Sequence, residues 1–168
     1  MTMIETERLS LREIAADDAA FILELYNEPS FQKYIGDKGI TDIAAAQKYI
    51  EANFTKSYAE NGFGLWLVEL KEIRKPVGIC GFVKRETLEF PDIGFAFLTQ
   101  YEKQGYGFES AKAVIEYGRS ALKMSKVIAI TTQDNAASGR LLEKIGLSFE
   151  KFIDTPNGED IKLYSITF

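Results

Sequence analysis

The first part of the chain shows a strand pattern followed by a helix pattern. Residues 8–12 alternate between polar and apolar side chains, as a half-buried strand does. Asp17 and Asp18 then offer N-caps for a helix that runs through Tyr26, and Pro29 helps to close this helix off. We therefore expect one strand and one helix in this region.

A second helix is predicted from Asp42 to about Glu60. Its apolar residues are spaced three, four and four positions apart, which places them on one buried stripe: Ile43, Ala46, Ile50 and Phe54. Asn61 and Gly62 follow as a residue pair suited to a helix C-cap.

Three strands are predicted next. Residues 64–70, 77–84 and 92–98 are rich in apolar and aromatic side chains, and the polar segments 71–76 and 86–91 suit hairpin connections. An antiparallel meander is the expected arrangement. Side chains alternate between the two faces of a strand, so the third strand has one face formed by Ile93, Phe95 and Phe97 and another formed by Asp92, Gly94, Ala96 and Leu98.

Helices and strands alternate in the second half of the chain. A third helix is indicated by apolar residues that recur every three or four positions, namely Phe108, Ala111, Ile115, Gly118 and Leu122. The run 126–131 is β-prone throughout and predicts a strand buried on both faces. The last predicted helix covers residues 135–145. Two closing strands follow at 147–153 and 161–168, and the turn between them is at 155–158.

This order of elements predicts an α/β (α+β) domain with a mixed central sheet of about seven strands and helices on its faces. Residues 92–131 have the pattern of a crossover between two parallel strands through a helix. Because no linker or internal repeat interrupts the chain, we expect a single domain over residues 1–168.

The strongest candidate for a binding site is the loop Gly105-Tyr106-Gly107, which leads into the third helix. Two glycines let the backbone turn tightly with no Cβ in the way of a ligand. The free N–H groups of the helix start favour an anion such as phosphate, although such a loop can also be only a turn. Ser110 at the position of a third glycine disfavours a dinucleotide fingerprint, and no Gly-Lys-Ser/Thr ending supports a Walker loop.

Composition excludes several kinds of chemistry. The absence of histidine removes Ser-His-Asp and Cys-His catalysis in their usual forms, as well as the commonest metal ligand. Cys80 is the single cysteine, so neither a disulfide nor a metal site is expected, and its apolar surroundings predict a core residue. The net charge of −5 argues against broad nucleic-acid binding and mildly favours a cationic substrate.

No segment of the sequence indicates export or a membrane span. No apolar run approaches the roughly 20 residues that cross a bilayer, and the first residues lack the basic and apolar regions of a signal peptide. We therefore expect a cytoplasmic protein, a monomer or homodimer, with neither a membrane nor a nucleic acid as partner.

Three segments resemble the GNAT family of N-acetyltransferases, in that family's order and spacing. The Gly105-Tyr106-Gly107 loop is similar to the family's acetyl-coenzyme A (acetyl-CoA) pyrophosphate loop. Residues 135–149 resemble its Asn-x-x-Ser…Glu-Lys-x-Gly-Phe segment, with the aromatic Phe149 two places later than in the commonest form. Residues 5–12 look like the start of the branch that contains ribosomal-protein N-terminal acetyltransferases. The resemblance implies the GNAT fold and acetyl transfer from acetyl-CoA to a primary amine.

Through this resemblance, acetyl-CoA binding is assigned to the glycine loop and its neighbours. The main-chain N–H groups of residues 104–108 would hold the pyrophosphate, and the strand end at 97–98 would pair with the pantetheine arm and polarise the thioester carbonyl. Glu102 stands where the family often has Arg or Gln, so we expect it to point away while Lys103 or Gln104 supplies a favourable contact. The complete set is Phe97, Leu98, Lys103, Gln104, Gly105, Tyr106, Gly107, Phe108 and Asn135.

The resemblance also implies two catalytic residues. Ser138 takes the place of a general acid for the CoA thiolate, and the alternative is a helix serine that bonds its own backbone. Asp92 is the candidate base, which would need burial or a water relay; the alternatives are a solvated strand-end acid, a charge that orients the substrate, and a water chain in place of any side-chain base. Asn135 is expected to cap the fourth helix, which does not exclude a bond to pantetheine.

Two functions follow from these assignments. One is an N-acetyltransferase that works by direct transfer in a ternary complex, since no base is apparent that would activate Cys80 as an acyl carrier. The other is a CoA-binding module of the same fold with little or no transferase activity. The acceptor could be a protein N-terminal amine, a polyamine, an amino acid or an aminoglycoside, and Tyr34 could line its cleft.

Overall fold

The computed structural model of the protein describes residues 2–156 and 158–168, so the predicted turn at 155–158 contains one residue, Asn157, outside the described residues. No helix within these ranges is long and apolar enough to cross a membrane. The strands are β1 (Thr2–Glu5), β2 (Leu9–Glu13), β3 (Leu65–Leu70), β4 (Lys75–Val83), β5 (Asp92–Phe97), β6 (Lys126–Thr132), β7 (Ser148–Ile153) and β8 (Ile161–Thr167). The α-helices are α1 (Ala19–Tyr26), α2 (Pro29–Tyr34), α3 (Ile43–Tyr49), α4 (Lys56–Asn61), α5 (Tyr106–Ser120) and α6 (Ala136–Lys144).

The strands of this described part form one mixed, 8-stranded sheet in the order β1-β2-β3-β4-β5-β6-β8-β7. Strands β3, β4 and β5 pair antiparallel, which confirms the predicted meander, and β2 also pairs antiparallel with β3. Strands β5 and β6 are parallel neighbours, which confirms the crossover through α5. The sequence pattern did not predict β1, because a four-residue edge strand is too short to show alternation.

Asp18 is the N-cap residue of α1, as predicted, but its side chain makes no capping bond to that helix. The Asp18 carboxylate instead accepts a hydrogen bond from the Ala15 N–H at 2.8 Å and from the two Nη atoms of Arg12 at 2.8 and 2.9 Å. These bonds fix a 3-10 turn, Ala16–Asp18, ahead of α1. Pro29 follows the end of α1 as expected, but it also begins the unpredicted helix α2, because proline fits the first turn of a helix.

The predicted second helix is confirmed and contains an irregularity. The Asp42 side chain accepts a hydrogen bond from the Ala45 N–H at 2.8 Å and caps α3. A π-helical segment, Ile50–Thr55, then connects α3 directly to α4. Gly62 ends α4 with a left-handed backbone, at φ 74°. The segment forms the rim of a cavity described below.

The sheet separates two hydrophobic cores. Helices α5 and α6 cover one face, where Trp66 and Cys80 are completely buried. Helices α1, α2 and α3 cover the other face, where Ile22 and Leu67 are completely buried. The predicted role of Cys80 as a core residue is thereby confirmed.

Two paired glycines, Gly81 on β4 and Gly94 on β5, give a direct test of the β3–β4 packing. A Cβ at Gly81 would lie 2.1 Å from the carbonyl oxygen of Gly64 and 2.8 Å from the Cα of Leu65, whereas a Cβ at Gly94 would meet only a Leu65 methyl group at 3.5 Å. We expect Gly81→Ala to lower the free energy of unfolding by about 3 kcal/mol, with a much smaller change for Gly94→Ala. Urea denaturation measures both, and equal losses would contradict this account.

Candidate active site

The sheet opens between β5 and β6. These parallel strands share one register position, Asp92 opposite Ile128, and beyond it β6 pairs with β8 alone. A cavity of about 790 Å³ occupies the opening, with walls formed by residues 93–97 of β5 and 129–132 of β6. We call this cavity the active-site cleft. Its position at the carboxyl ends of parallel strands is the usual one for a ligand of an open sheet.

The main chain of β5 faces the cleft at alternate residues. The Leu98 N–H donates to the Val77 carbonyl on β4 at 3.0 Å, so the polar main-chain groups of Leu98 point away from the cleft. Since these directions alternate along an antiparallel pair, the N–H groups of Phe95 and Phe97 point towards the cleft. Of the two predicted pantetheine contacts, the structure therefore orients Phe97 suitably but not Leu98. Phe95, which the sequence reasoning missed, is oriented like Phe97.

The glycine loop lies at the mouth of the cleft. Gly105 has φ 84° and is the N-cap of α5, and Lys103 also has a positive φ, of 61°. Lys103 and Gly107 line the cleft. The main-chain N–H groups of residues 104–108 donate to no acceptor among the described residues, so they are available to an anion at this helix start.

Several side chains of this loop are engaged with the protein rather than turned to the cleft. The Gln104 amide donates to the Gln100 carbonyl at 3.1 Å. The ring of Phe108 lies under the ammonium groups of Lys112 and Lys144, at 5.6 and 4.8 Å. What the loop offers a ligand is therefore mainly its backbone.

A contact between the start of the chain and the first turn of α5 fixes the loop, and the sequence reasoning missed it. The Arg8 guanidinium bonds the Glu109 carboxylate at 2.7 Å and the Gln104 carbonyl at 3.0 Å, and it stacks on the Tyr106 ring at 4.5 Å. The Thr6 hydroxyl donates to the same carboxylate at 2.6 Å. Thr6 and Arg8 belong to the opening segment that carried part of the family resemblance, but their partners are too distant in sequence for a pattern to reveal them.

We expect Glu109 to contribute to stability in a pH-dependent way. Burial raises its pKa, but hydrogen bonds from Thr6 and Arg8 outweigh burial and lower it below the ordinary 4.5. A folded pKa below the unfolded one means that this stabilisation is complete above pH 4.5 and is lost as the pH falls through the folded pKa. Glu109→Gln should reduce the free energy of unfolding by about 1 kcal/mol at pH 7 and remove this dependence.

Thermal unfolding between pH 3 and pH 7 measures the effect as the difference between wild type and variant, over a window of about four pH units. Glu116→Gln is a matched control, since a hydrogen bond from Arg119 also lowers the pKa of Glu116 but that pair is exposed. An equal effect in both variants would show that the contacts of Glu109 stabilise the fold no more than an exposed ion pair does.

Helix α6 places Ser138 in the cleft. The Asn135 Oδ1 accepts a hydrogen bond from the Ser138 N–H at 3.3 Å, which confirms Asn135 as the N-cap. The half-buried Ser138 hydroxyl lines the cleft and has no hydrogen-bond partner in the described ranges. By contrast, Ser110 and Ser120 bond backbone carbonyls one turn back, at 2.8 Å each. The alternative interpretation of Ser138, as a serine bonded to its own helix, is therefore wrong.

Asp92 lies at the closed end of the cleft, where β5 and β6 separate. The residue is only 2% exposed, so the alternative of a solvated strand-end acid is also wrong. Its Oδ2 accepts from the Arg85 Nε at 2.8 Å, while Oδ1 is buried and has no donor within residues 2–156 and 158–168. Burial raises the pKa of Asp92 above its ordinary value, and the attraction of Arg85 only partly offsets that rise.

Other residues complete the cleft. Tyr34 on α2 lines it, as the sequence analysis suggested. Glu102 also lines it, beside the glycine loop, although it was expected to point away. On the α6 side the hydroxyl of Thr131 is buried and has no partner in the part of the chain that is described.

Comparison with known proteins identifies the class to which this fold and cleft belong. Residues 8–148 match the family model described as acetyltransferase (GNAT) domain. The chain is also 30% identical, over 149 residues, to the uncharacterized N-acetyltransferase YoaA of Bacillus subtilis (strain 168), covering 88% of this chain and 84% of that protein. The chain therefore belongs to the GNAT family and is an acetyl-CoA-dependent N-acetyltransferase by that membership.

Solved structures agree with this assignment. A GNAT-family acetyltransferase from Bacillus anthracis superposes with a TM-score of 0.82 at 26% identity, covering 99% of this chain and 98% of that one. The ribosomal L7/L12 α-N-protein acetyltransferase RimL, solved with coenzyme A, gives 0.88 at 14% identity, covering 100% and 98%. The second likeness confirms the resemblance to ribosomal-protein acetyltransferases at the level of the fold.

Proposed function

We propose that the protein transfers the acetyl group of acetyl-CoA directly to a primary amine in a ternary complex. The observation that carries this proposal is the shared cleft: outward N–H groups of β5, the glycine loop, the Ser138 hydroxyl and the Asp92 carboxylate all border it. We further propose that residues 1–168 act as a single acetyltransferase domain, as a monomer or homodimer.

Binding of the cosubstrate is assigned to main-chain groups. The N–H groups of residues 104–108 would hold the pyrophosphate at the positive end of the α5 dipole. The N–H groups of Phe95 and Phe97 would pair with the pantetheine arm and donate to the thioester oxygen as negative charge develops on it. Asn135 and Lys103 lie on the cleft wall where the same ligand passes.

The transfer requires two proton movements, and the cleft offers a residue for each. The amine nitrogen forms a bond to the thioester carbon and loses a proton to Asp92, whose raised pKa makes it a better acceptor than an exposed carboxylate. The carbon–sulfur bond breaks, and the departing thiolate takes the proton of the Ser138 hydroxyl, which solvent then restores.

An acetyl-cysteine intermediate is disfavoured. Cys80 is completely buried, and burial raises the pKa of its thiol to about 12. The thiolate is the nucleophilic form, so Cys80 is unreactive at neutral pH. Direct transfer needs no such carrier.

The second candidate function is a CoA-binding module with little transferase activity, and the exposed Glu102 carboxylate beside the loop favours it. Calorimetric titration with acetyl-CoA, followed by thiol release over a panel of amines, separates the two functions. Saturable binding with amine-dependent thiol release supports the transferase. Binding without release supports the module, and the absence of binding refutes both.

A further inference from the structure

Two cavities meet at Arg85. A second cavity, of about 840 Å³, lies between the π-helical segment, α4 and the residues that follow β4. Six of the described residues line both this cavity and the active-site cleft: Tyr26, Phe31, Ile35, Leu65, Val83 and Arg85. Arg85 is the charged member of this set, so it borders both cavities.

The Arg85 side chain is held in place but keeps most of its hydrogen-bonding capacity. Its Nε donates to the buried Asp92 at 2.8 Å, which anchors the guanidinium plane. Neither Nη atom donates to any described residue, and the side chain is 46% exposed. A guanidinium fixed through Nε with both Nη atoms open presents a planar fork, the geometry that binds a carboxylate through two hydrogen bonds.

We propose that the acceptor of the transfer is a small amine that also carries a carboxylate, such as an amino acid, and that Arg85 binds this carboxylate. The inference rests on the proposed function, and it names the acceptor of that same site. Asp92 serves both ends of the acceptor: its Oδ2 holds Arg85, and its carboxylate borders the cleft that receives the amine.

The charge around the second cavity supports an acceptor that carries a carboxylate. Four cationic side chains line it, Lys38, Lys56, Lys84 and Arg85, against two carboxylates, Glu60 and Glu86. One of these carboxylates, that of Glu60, is already near the Lys56 ammonium at 3.9 Å. This excess of positive charge is confined to the second cavity, because Asp92, Glu102 and Asp134 outnumber Arg85 and Lys103 in the lining of the active-site cleft. It favours a carboxylate on the side of the second cavity, while the amine lies in the cleft. The mild preference for cations inferred from composition is replaced by this local argument.

The proposal is tested with pairs of acceptors that carry or lack the carboxylate, and kcat/KM is expressed per unprotonated amine because the amide also lowers the pKa of the amine. The panel contains the twenty common amino acids, their α-amides, spermidine and an aminoglycoside, assayed for thiol release at saturating acetyl-CoA. We expect at least one amino acid to exceed its own amide about tenfold or more in kcat/KM, since a bidentate ion pair contributes about that much binding. Arg85→Gln should bring the acid-to-amide ratio of kcat/KM close to one, because any effect of the lost ion pair on Asp92 acts on both acceptors alike.

Lys38→Gln provides the matched control, because it removes one positive charge from the same cavity and leaves the Arg85 guanidinium in place. It should leave the preference for the acid intact. The double variant Arg85→Gln/Asp92→Asn removes both charges of the pair and shows by thermal unfolding whether any loss in Arg85→Gln reflects an unpaired buried carboxylate.

Each outcome bears on the proposal. Equal activity on acids and amides, the same loss in Lys38→Gln and Arg85→Gln, or turnover of cationic acceptors alone would overturn it, and so would the absence of any carboxylated acceptor. Failure of acetyl-CoA to bind in calorimetry would instead refute the proposed function, so the two failures are distinguishable.

Discussion

Asp92→Asn is expected to lower kcat/KM for the amine acceptor about 1000-fold, because it removes the proton acceptor while keeping the size of the side chain. The affinity for acetyl-CoA should stay within about twofold of wild type, since the main-chain groups assigned to it are untouched. Steady-state thiol release and calorimetric titration measure the two quantities. A loss of acetyl-CoA affinity equal to the loss of turnover would show that Asp92 shapes the cleft rather than accepting a proton.

The pH dependence distinguishes a base from an orienting charge. Both the amine and Asp92 must lose a proton before transfer, so log kcat/KM of wild type should rise with a slope of about two below the pKa of Asp92 and about one above it. Burial raises that pKa, so the change of slope should occur above 3.8. In Asp92→Asn a slope of about one should persist throughout, since only the amine still titrates. If Asp92→Asn kept the same change of slope as wild type, Asp92 would not be the base.

Stability provides a control for the same variant. A folded pKa above the unfolded one means that ionised Asp92 destabilises the folded state above its folded pKa, and that this penalty disappears as the pH falls through it. The neutral amide carries no such penalty, so Asp92→Asn should fold at pH 7. The expected loss of thermal stability is limited to that of the ion pair with Arg85, whose side chain is partly exposed. Lost activity in a stable variant then reports on chemistry.

The sequence contained most of the fold, because the relevant signals are local. The stripe on the second helix, the apolar runs of the meander strands and the N-cap at Asn135 each depend on residues a few positions apart, and the structure contains all of them. The features it missed lack such signals. Strand β1 is short, and Pro29 marks both the end of one helix and the start of another.

The candidate site was only partly predictable, for a reason that Leu98 illustrates. Alternation along β5 shows that Phe97 and Leu98 face opposite directions, but it does not show which direction is open. That depends on β6, which leaves β5 after a single register position. Similarly, the pairing of Arg85 with Asp92 crosses a loop, and that of Arg8 with Glu109 spans 101 positions. Contacts of this kind arise from the assembled fold and leave no periodic trace.

Ser138→Ala is the second substitution with a large expected effect, a decrease in kcat of about 100-fold, because the thiolate would depart without a positioned proton donor. The Ser138 N–H that Asn135 caps is retained in the variant, so helix α6 and the affinity for acetyl-CoA should be preserved. Ser138→Cys keeps a proton donor at the same position and should recover part of the lost turnover. Single-turnover measurements with saturating amine isolate this step.

Asn135→Ala separates the structural contribution of this helix start from the chemical one. Loss of the cap should lower the free energy of unfolding by about 1 kcal/mol, whereas Ser138→Ala should leave it unchanged, because the Ser138 hydroxyl bonds nothing among the described residues. Loss of stability should therefore distinguish Asn135→Ala from Ser138→Ala, whose expected loss is confined to turnover. Full turnover in Ser138→Ala would assign protonation of the thiolate to water, and a loss of stability matching that of Asn135→Ala would make Ser138 a structural residue of α6.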